Sequence, residues 1–177
     1  MPQANKRLPL PFGITFEDWG AMIVAMLKTG PQPAFAGRIA EATGLDEHTI
    51  GDNVAFLKAL GMATPGSTEP RIYLSKAGAR YAQALVSGDK ANQRKVLAES
   101  AGAAFRPVVR FCELAGNLDF DRLFLQIKFL ANVDDAWGQH RDTAEKDRAG
   151  IYTAIAIMVA AGMLDKSYLP VEEEEAA

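Results

Sequence analysis

Apolar residues recur at helical spacing through most of the chain, and the polar positions between them mark where each helix starts and stops. Trp19, Met22, Ile23, Met26 and Leu27 share one face of a helix expected to begin near Thr15, with Glu17 and Asp18 in its first turn. Thr29-Gly30-Pro31 stops it. Ala36, Ile39 and Ala40, with the methyl of Thr43 at the edge, form a shorter strip that ends at Gly44, a residue suited to a left-handed C-cap. Asp46 is placed to cap the next helix, and Glu47 adds negative charge at the positive end of its dipole. Ile50, Val54, Leu57 and either Phe56 or Leu60 form its inward strip, and Gly61 ends it.

Two short helices meeting at a Gly-Leu turn over residues 38–62 have the form of a helix-turn-helix. A Pro-Gly turn cluster follows at residues 63–70, then Arg71, Ile72, Tyr73 and Leu74 as a short strand, then Ser75 as cap of a helix running to Gly88. Two short strands around a polar turn are expected here. The order of these pieces, with the residues Gly44-Leu45, Thr49-Ile50, Val54, Phe56-Leu57, Leu60-Gly61-Met62 and Ile72-Tyr73-Leu74-Ser75-Lys76-Ala77-Gly78, resembles the winged helix-turn-helix domains of bacterial and archaeal regulators. The resemblance spans about residues 15–87 and implies a mainly α fold with a small β-hairpin wing.

Ahead of that unit, residues 1–14 read as an N-terminal arm. Its prolines forbid a helix, and Leu8 to Phe12 is suited either to dock as an extended strap or to stay disordered. Behind it, residues 86–90 mark a boundary, and residues 91–170 read as a helical second unit, winged-helix-like or dimerising. Phe105, Val108, Val109, Phe111 and Cys112 form a stripe in which Pro107 either starts a helix or kinks one. Asp119 caps a helix with Phe120, Leu123, Phe124, Ile127 and Leu130 or Ala131 inward. Leu125 and Phe129 lie on a second face, which needs a second neighbour: the first unit or the same helix of another copy. Residues 151–163 align without a gap on residues 50–62, pairing Ile50 with Ile151, Val54 with Ile155, Leu57 with Met158 and Gly61 with Gly162, which suggests a tandem repeat. Ordinary helical periodicity with a glycine stop explains the same match.

Net charge changes the functional picture. The chain of 177 residues carries −3 overall; residues 1–90 hold nine Lys plus Arg against eight Asp plus Glu, and residues 91–177 hold ten against fourteen. Strong nonspecific polyanion binding is therefore not expected, and a nucleic acid would bind the first half. The resemblance implies a double-stranded DNA-binding regulator or accessory factor. On the second helix of the motif Thr49 and Asn53 are suited to base edges and His48 and Lys58 to phosphates, with Arg38, Arg71, Lys76 and Arg80 supporting from neighbouring elements. Asp46, Glu47 and Asp52 oppose this, and regulators of this kind often carry Arg or Lys near the positions of Gly51 and Asp52. The competing reading is a protein-interaction adaptor on the same scaffold.

No phosphate loop, dinucleotide fingerprint, serine elbow or HExxH is present, so neither catalysis nor a cofactor is expected. Cys112 reads as a buried thiol within its stripe. Asp134, Asp135 and His140 are too few for a metal site and read as a polar loop around Trp137. One cysteine, no long apolar run and no signal-peptide pattern point to a cytoplasmic protein. Residues 171–177 form an acidic tail, and self-association is expected through the C-terminal half at Leu125 and Phe129.

Overall fold

Side-chain caps set most helix starts in the computed structural model, which describes residues 7–29, 33–116, 118–133 and 141–169. Helix α1 spans Phe16–Lys28, and the Thr15 hydroxyl accepts from the Asp18 amide at 3.1 Å. It buries Trp19, Met22, Ile23 and Met26 as their spacing requires. Strand β1 is only Ala34–Phe35, and helix α2 (Ala36–Thr43) ends at Gly44, whose φ of 77° is the left-handed cap expected there.

The following helix departs from expectation. Instead of one helix to Leu60 there are two, α3 (Glu47–Asp52) and α4 (Val54–Ala59), separated at Asn53. The Asn53 amide turns to the Ile50 carbonyl at 3.2 Å, a three-residue step, while its side-chain Nδ2 donates to the Thr49 carbonyl at 2.8 Å. The side chain thus satisfies the acceptor that an uninterrupted α-helix would leave to the backbone.

The hairpin also differs from two paired strands. Its two limbs meet at isolated bridges, Ala63 with Leu74 and Thr68 with Arg71, in place of a continuous ladder. The second limb, β2 (Arg71–Ile72), pairs antiparallel with β1, placing Ala34 opposite Ile72 and Phe35 opposite Arg71. Buried Ser67 closes the turn: its hydroxyl accepts from the Tyr73 amide at 2.8 Å and donates to the Tyr73 carbonyl at 3.2 Å.

Helix α5 (Lys76–Ser87) starts at Ser75, which accepts from the Gly78 amide, and ends at left-handed Gly88. Helix α6 (Lys90–Ala115) runs through Pro107, so the proline does not start a new helix. Helix α7 (Phe120–Ala131) is capped by Asp119, and helix α8 spans Arg141–Ala160, followed by a 3₁₀ turn at Lys166–Tyr168. Among the described residues no helix is long and apolar enough to cross a membrane.

The aligned segments 50–62 and 151–163 share one piece of geometry. Met62 donates to the Leu57 carbonyl and Met163 to the Met158 carbonyl, with Gly61 and Gly162 both left-handed. This is the same Schellman-type stop in the same register. Ahead of it the segments differ, because the first is broken at Asn53 and the second belongs to one 20-residue helix.

Among the described residues one apolar cluster runs from Leu8 to Leu164. Trp19 lies 5.7 Å from the Tyr81 ring and 6.2 Å from Phe56, and Phe56 in turn lies 6.3 Å from Phe105 on α6. Helix α5 packs on both α1 and α6, and α1 also touches α8.

Residues 7–14 add a second connection between the halves. The Leu8 amide donates to the Leu130 carbonyl at 3.1 Å and the Gly13 amide to the Lys146 carbonyl at 3.0 Å, while the Thr153 hydroxyl donates to the Ile14 carbonyl. Leu8, Pro11 and Ile14 are buried along this strap.

Candidate nucleic-acid interface

The turn between α2 and α3 is built from short polar side chains. Thr43 Oγ1 donates to the Ile39 carbonyl at 2.7 Å and accepts from the Leu45 amide at 3.2 Å, which carries the chain out of α2. Asp46 then accepts from the His48 and Thr49 amides and from the Thr49 hydroxyl at 2.6 Å. These bonds, the Thr49 hydroxyl foremost, hold the Asp46 carboxyl below the usual carboxylate range. The α3 N-terminus is therefore already occupied by a carboxylate of its own chain.

The expected contact residues have separate fates. Arg38, His48, Arg71 and Lys76 are exposed, on α2, α3, β2 and the first turn of α5 respectively. Lys58 and Thr49 are half-buried, and the Thr49 hydroxyl hydrogen is committed to Asp46. Arg80 pairs with Glu99 on α6 at 3.3 Å, with both side chains about half exposed (47% and 50%). Such a pair is worth about 0–1 kcal/mol, yet it offsets the charge available to a phosphate.

Asn53 must be withdrawn from the base-reading set. Its side chain is fully buried, with Oδ1 accepting from the Phe12 amide at 2.9 Å and Nδ2 donating to the Phe12 carbonyl at 2.9 Å and to Thr49 O. Both amide hydrogens and one lone pair of the amide oxygen are committed within the fold. A signal for this was present: residue 53 falls three after Ile50 and four before Leu57, on the inward strip rather than the polar face.

Glu69 is a neighbour of α3 that the sequence did not disclose. Its carboxylate lies against Gly51 so closely that a side chain there would displace it, and the Glu47 carboxylate stands 3.2 Å from where a Cβ on Gly37 would lie. The missed signal is Gly51 itself, since glycine inside a helical pattern often marks a close approach. With Asp46 and exposed Asp52, four carboxylates surround α3.

Cys112 is half-buried rather than buried, and burial, with a hydrogen bond to Tyr168 acting in the other direction, pushes its thiol up. It stays protonated near neutral pH and offers no thiolate nucleophile. Among the described residues no group of His, Cys, Asp and Glu is placed to hold a metal ion. Asp134, Asp135, Trp137 and His140, like residues 1–6 of the arm and the tail at 171–177, lie outside the described residues.

Compared with known proteins, the chain matches no protein-family model, no curated protein and no solved structure.

Proposed function

We propose that residues 15–88 form a winged helix-turn-helix domain and that the chain is a double-stranded DNA-binding regulator or accessory factor, acting in the cytoplasm without a cofactor. The observation that supports this reading is the order of parts: α2, a left-handed turn, a side-chain-capped α3, and a hairpin over residues 63–74 whose return strand pairs with β1. Exposed Arg38, Arg71 and Lys76 then supply cations from three different elements of that domain.

The carboxylates around α3 define how such a protein would bind. They repel phosphates, so backbone attraction falls to the flanking cations, while a carboxylate in the major groove can accept from the amino group of cytosine. Weak nonspecific affinity with sequence preference follows. Replacing Arg71 and Lys76 with alanine should weaken binding and reduce the salt dependence by roughly one unit of slope per lost phosphate contact. Asp52→Asn and Glu69→Gln should each tighten low-salt binding by removing a repulsive charge. Titration of mixed duplex DNA at several salt concentrations tests all four variants together. A parent with no measurable affinity at low salt, or basic-site variants that bind as well as the parent, would replace this reading with the adaptor, which the acidic surface of α3 favours.

Self-association through the C-terminal half is part of the same proposal. Leu125 and Phe129 stand one helical turn apart on α7 and are 60% and 78% exposed, although other residues of α7 pack inward. Sedimentation at micromolar concentration should show a dimer, and Leu125→Ser with Phe129→Ser should convert it to a monomer of unchanged helicity. A parent that sediments as a monomer ends this part of the proposal.

A further inference from the structure

The strap roofs a hollow of about 430 Å³ between α4, α6 and the end of α7. That volume lies within the range of small-molecule sites, about 300–1,000 Å³. Its walls are Leu8, Ala59, Ala104, Pro107 and Leu130, and small side chains on α4 and α6 are what leave the space. Ala59 and Pro107 are exposed, so the hollow opens to solvent. The Leu8–Leu130 backbone hydrogen bond closes one side.

Its polar groups are few. Among the described residues Arg7 and Ser100 contribute to the lining, no acidic residue does, and Arg7 has no ion-pair partner. Pro107 adds a further group through what it lacks. Without an N–H it cannot donate to the carbonyl four residues earlier, so the carbonyl of Ala103, itself a lining residue, loses its α-helical donor. A cationic residue, a hydroxyl-bearing residue and a residue with an under-used carbonyl thus line an otherwise apolar hollow.

We propose that this hollow binds a small carboxylic acid with an apolar body, its carboxylate on Arg7 and its chain against Leu8, Ala104 and Leu130. Charge complementarity selects the acid over a neutral ligand of the same shape, because the described residues of the lining carry a positive charge and no negative one. The site is independent of whether α3 meets DNA. Occupancy is nevertheless expected to register there, since the segment forming the roof continues to Phe12, which Asn53 holds.

Octanoate and octanamide, titrated calorimetrically into the full chain, test the proposal. Octanoate should bind saturably at one site and more tightly than octanamide. Arg7→Gln should weaken octanoate roughly three- to fivefold, as an exposed ion pair allows, and leave octanamide unchanged. Ala103→Trp should abolish binding of both by filling the hollow from an exposed position where the fold tolerates it. Amide chemical shifts of Leu8, Phe12 and Leu130 should move on titration of the parent. The proposal is overturned if the folded parent shows no saturable binding, if octanamide matches octanoate, or if Ala103→Trp, folded by circular dichroism, still binds. A chain that gains octanoate binding only when residues 2–6 are deleted would assign the hollow to its own N-terminus and overturn it as well.

Discussion

Asn53→Ala is expected to destabilise the protein by about 2–4 kcal/mol, far more than a solvent-facing helix position would cost. The substitution removes three hydrogen bonds and leaves the Phe12 amide, the Phe12 carbonyl and the Thr49 carbonyl without that partner. Each buried unsatisfied group costs about 1–3 kcal/mol, and release of the strap into water recovers part of the sum. Asn53→Asp should rescue little, because a carboxylate can accept from the Phe12 amide but would face two carbonyl oxygens where Nδ2 now donates. Denaturant unfolding measures the loss, and hydrogen exchange at Phe12 should rise in the variant. A change within about 0.5 kcal/mol would show that Asn53 behaves as a surface residue and would restore it to the candidates for base contact.

Gly150→Ala should destabilise by about 1–3 kcal/mol, the cost of forcing a methyl into a packed contact. Glycine inside a helix normally costs about 1 kcal/mol relative to alanine, so a stabilised variant would be the ordinary result. At Gly150 the added Cβ would collide with the Pro11 carbonyl and lie 3.0 Å from the Pro11 carbonyl carbon, and neither is the end of a flexible side chain. Relief requires the strap to lift, which threatens the Gly13–Lys146 and Thr153–Ile14 hydrogen bonds on either side. Gly102→Ala is the internal control: it lies within α6 with nothing within 4 Å of the new methyl, and it should stabilise by about 1 kcal/mol. Because Asn53 and Gly150 grip the same segment, the double variant should cost less than the two single changes added together. Stabilisation by Gly150→Ala would mean that the strap is not seated on α8.

The strap joins elements that are far apart in sequence. It touches the break between α3 and α4, the C-terminal turn of α7 and the middle of α8. A segment with no regular secondary structure thereby satisfies its backbone groups on three helices, which offsets the entropy of ordering it. Its prolines were legible as a bar to helix formation, and Leu8 to Phe12 as a segment suited to dock or to stay disordered, but the partners that receive Phe12 and Ile14 lie 41 and 139 residues away along the chain.

Local physics therefore determined a definite share of this protein by itself. Thr15, Asp46, Ser75 and Asp119 cap helices where their positions before apolar strips require it, and Gly44, Gly61, Gly88 and Gly162 end them with positive φ, because capping and left-handed turns depend on residues within four or five of one another. The inward faces of α1 and α7 follow from spacing alone, and so does the placing of Leu125 and Phe129 on a second face of α7, whereas their exposure shows only in the packing. What only the tertiary structure decided are the contacts between residues far apart in sequence. Asn53 took Phe12 as its partner, Glu69 came to rest on Gly51, and β2 paired with β1 across the helix-turn-helix as well as meeting the hairpin's own first limb at the Thr68–Arg71 bridge. Each depends on which surfaces meet after the helices pack. A periodic pattern states that a face is buried, but it does not say against what.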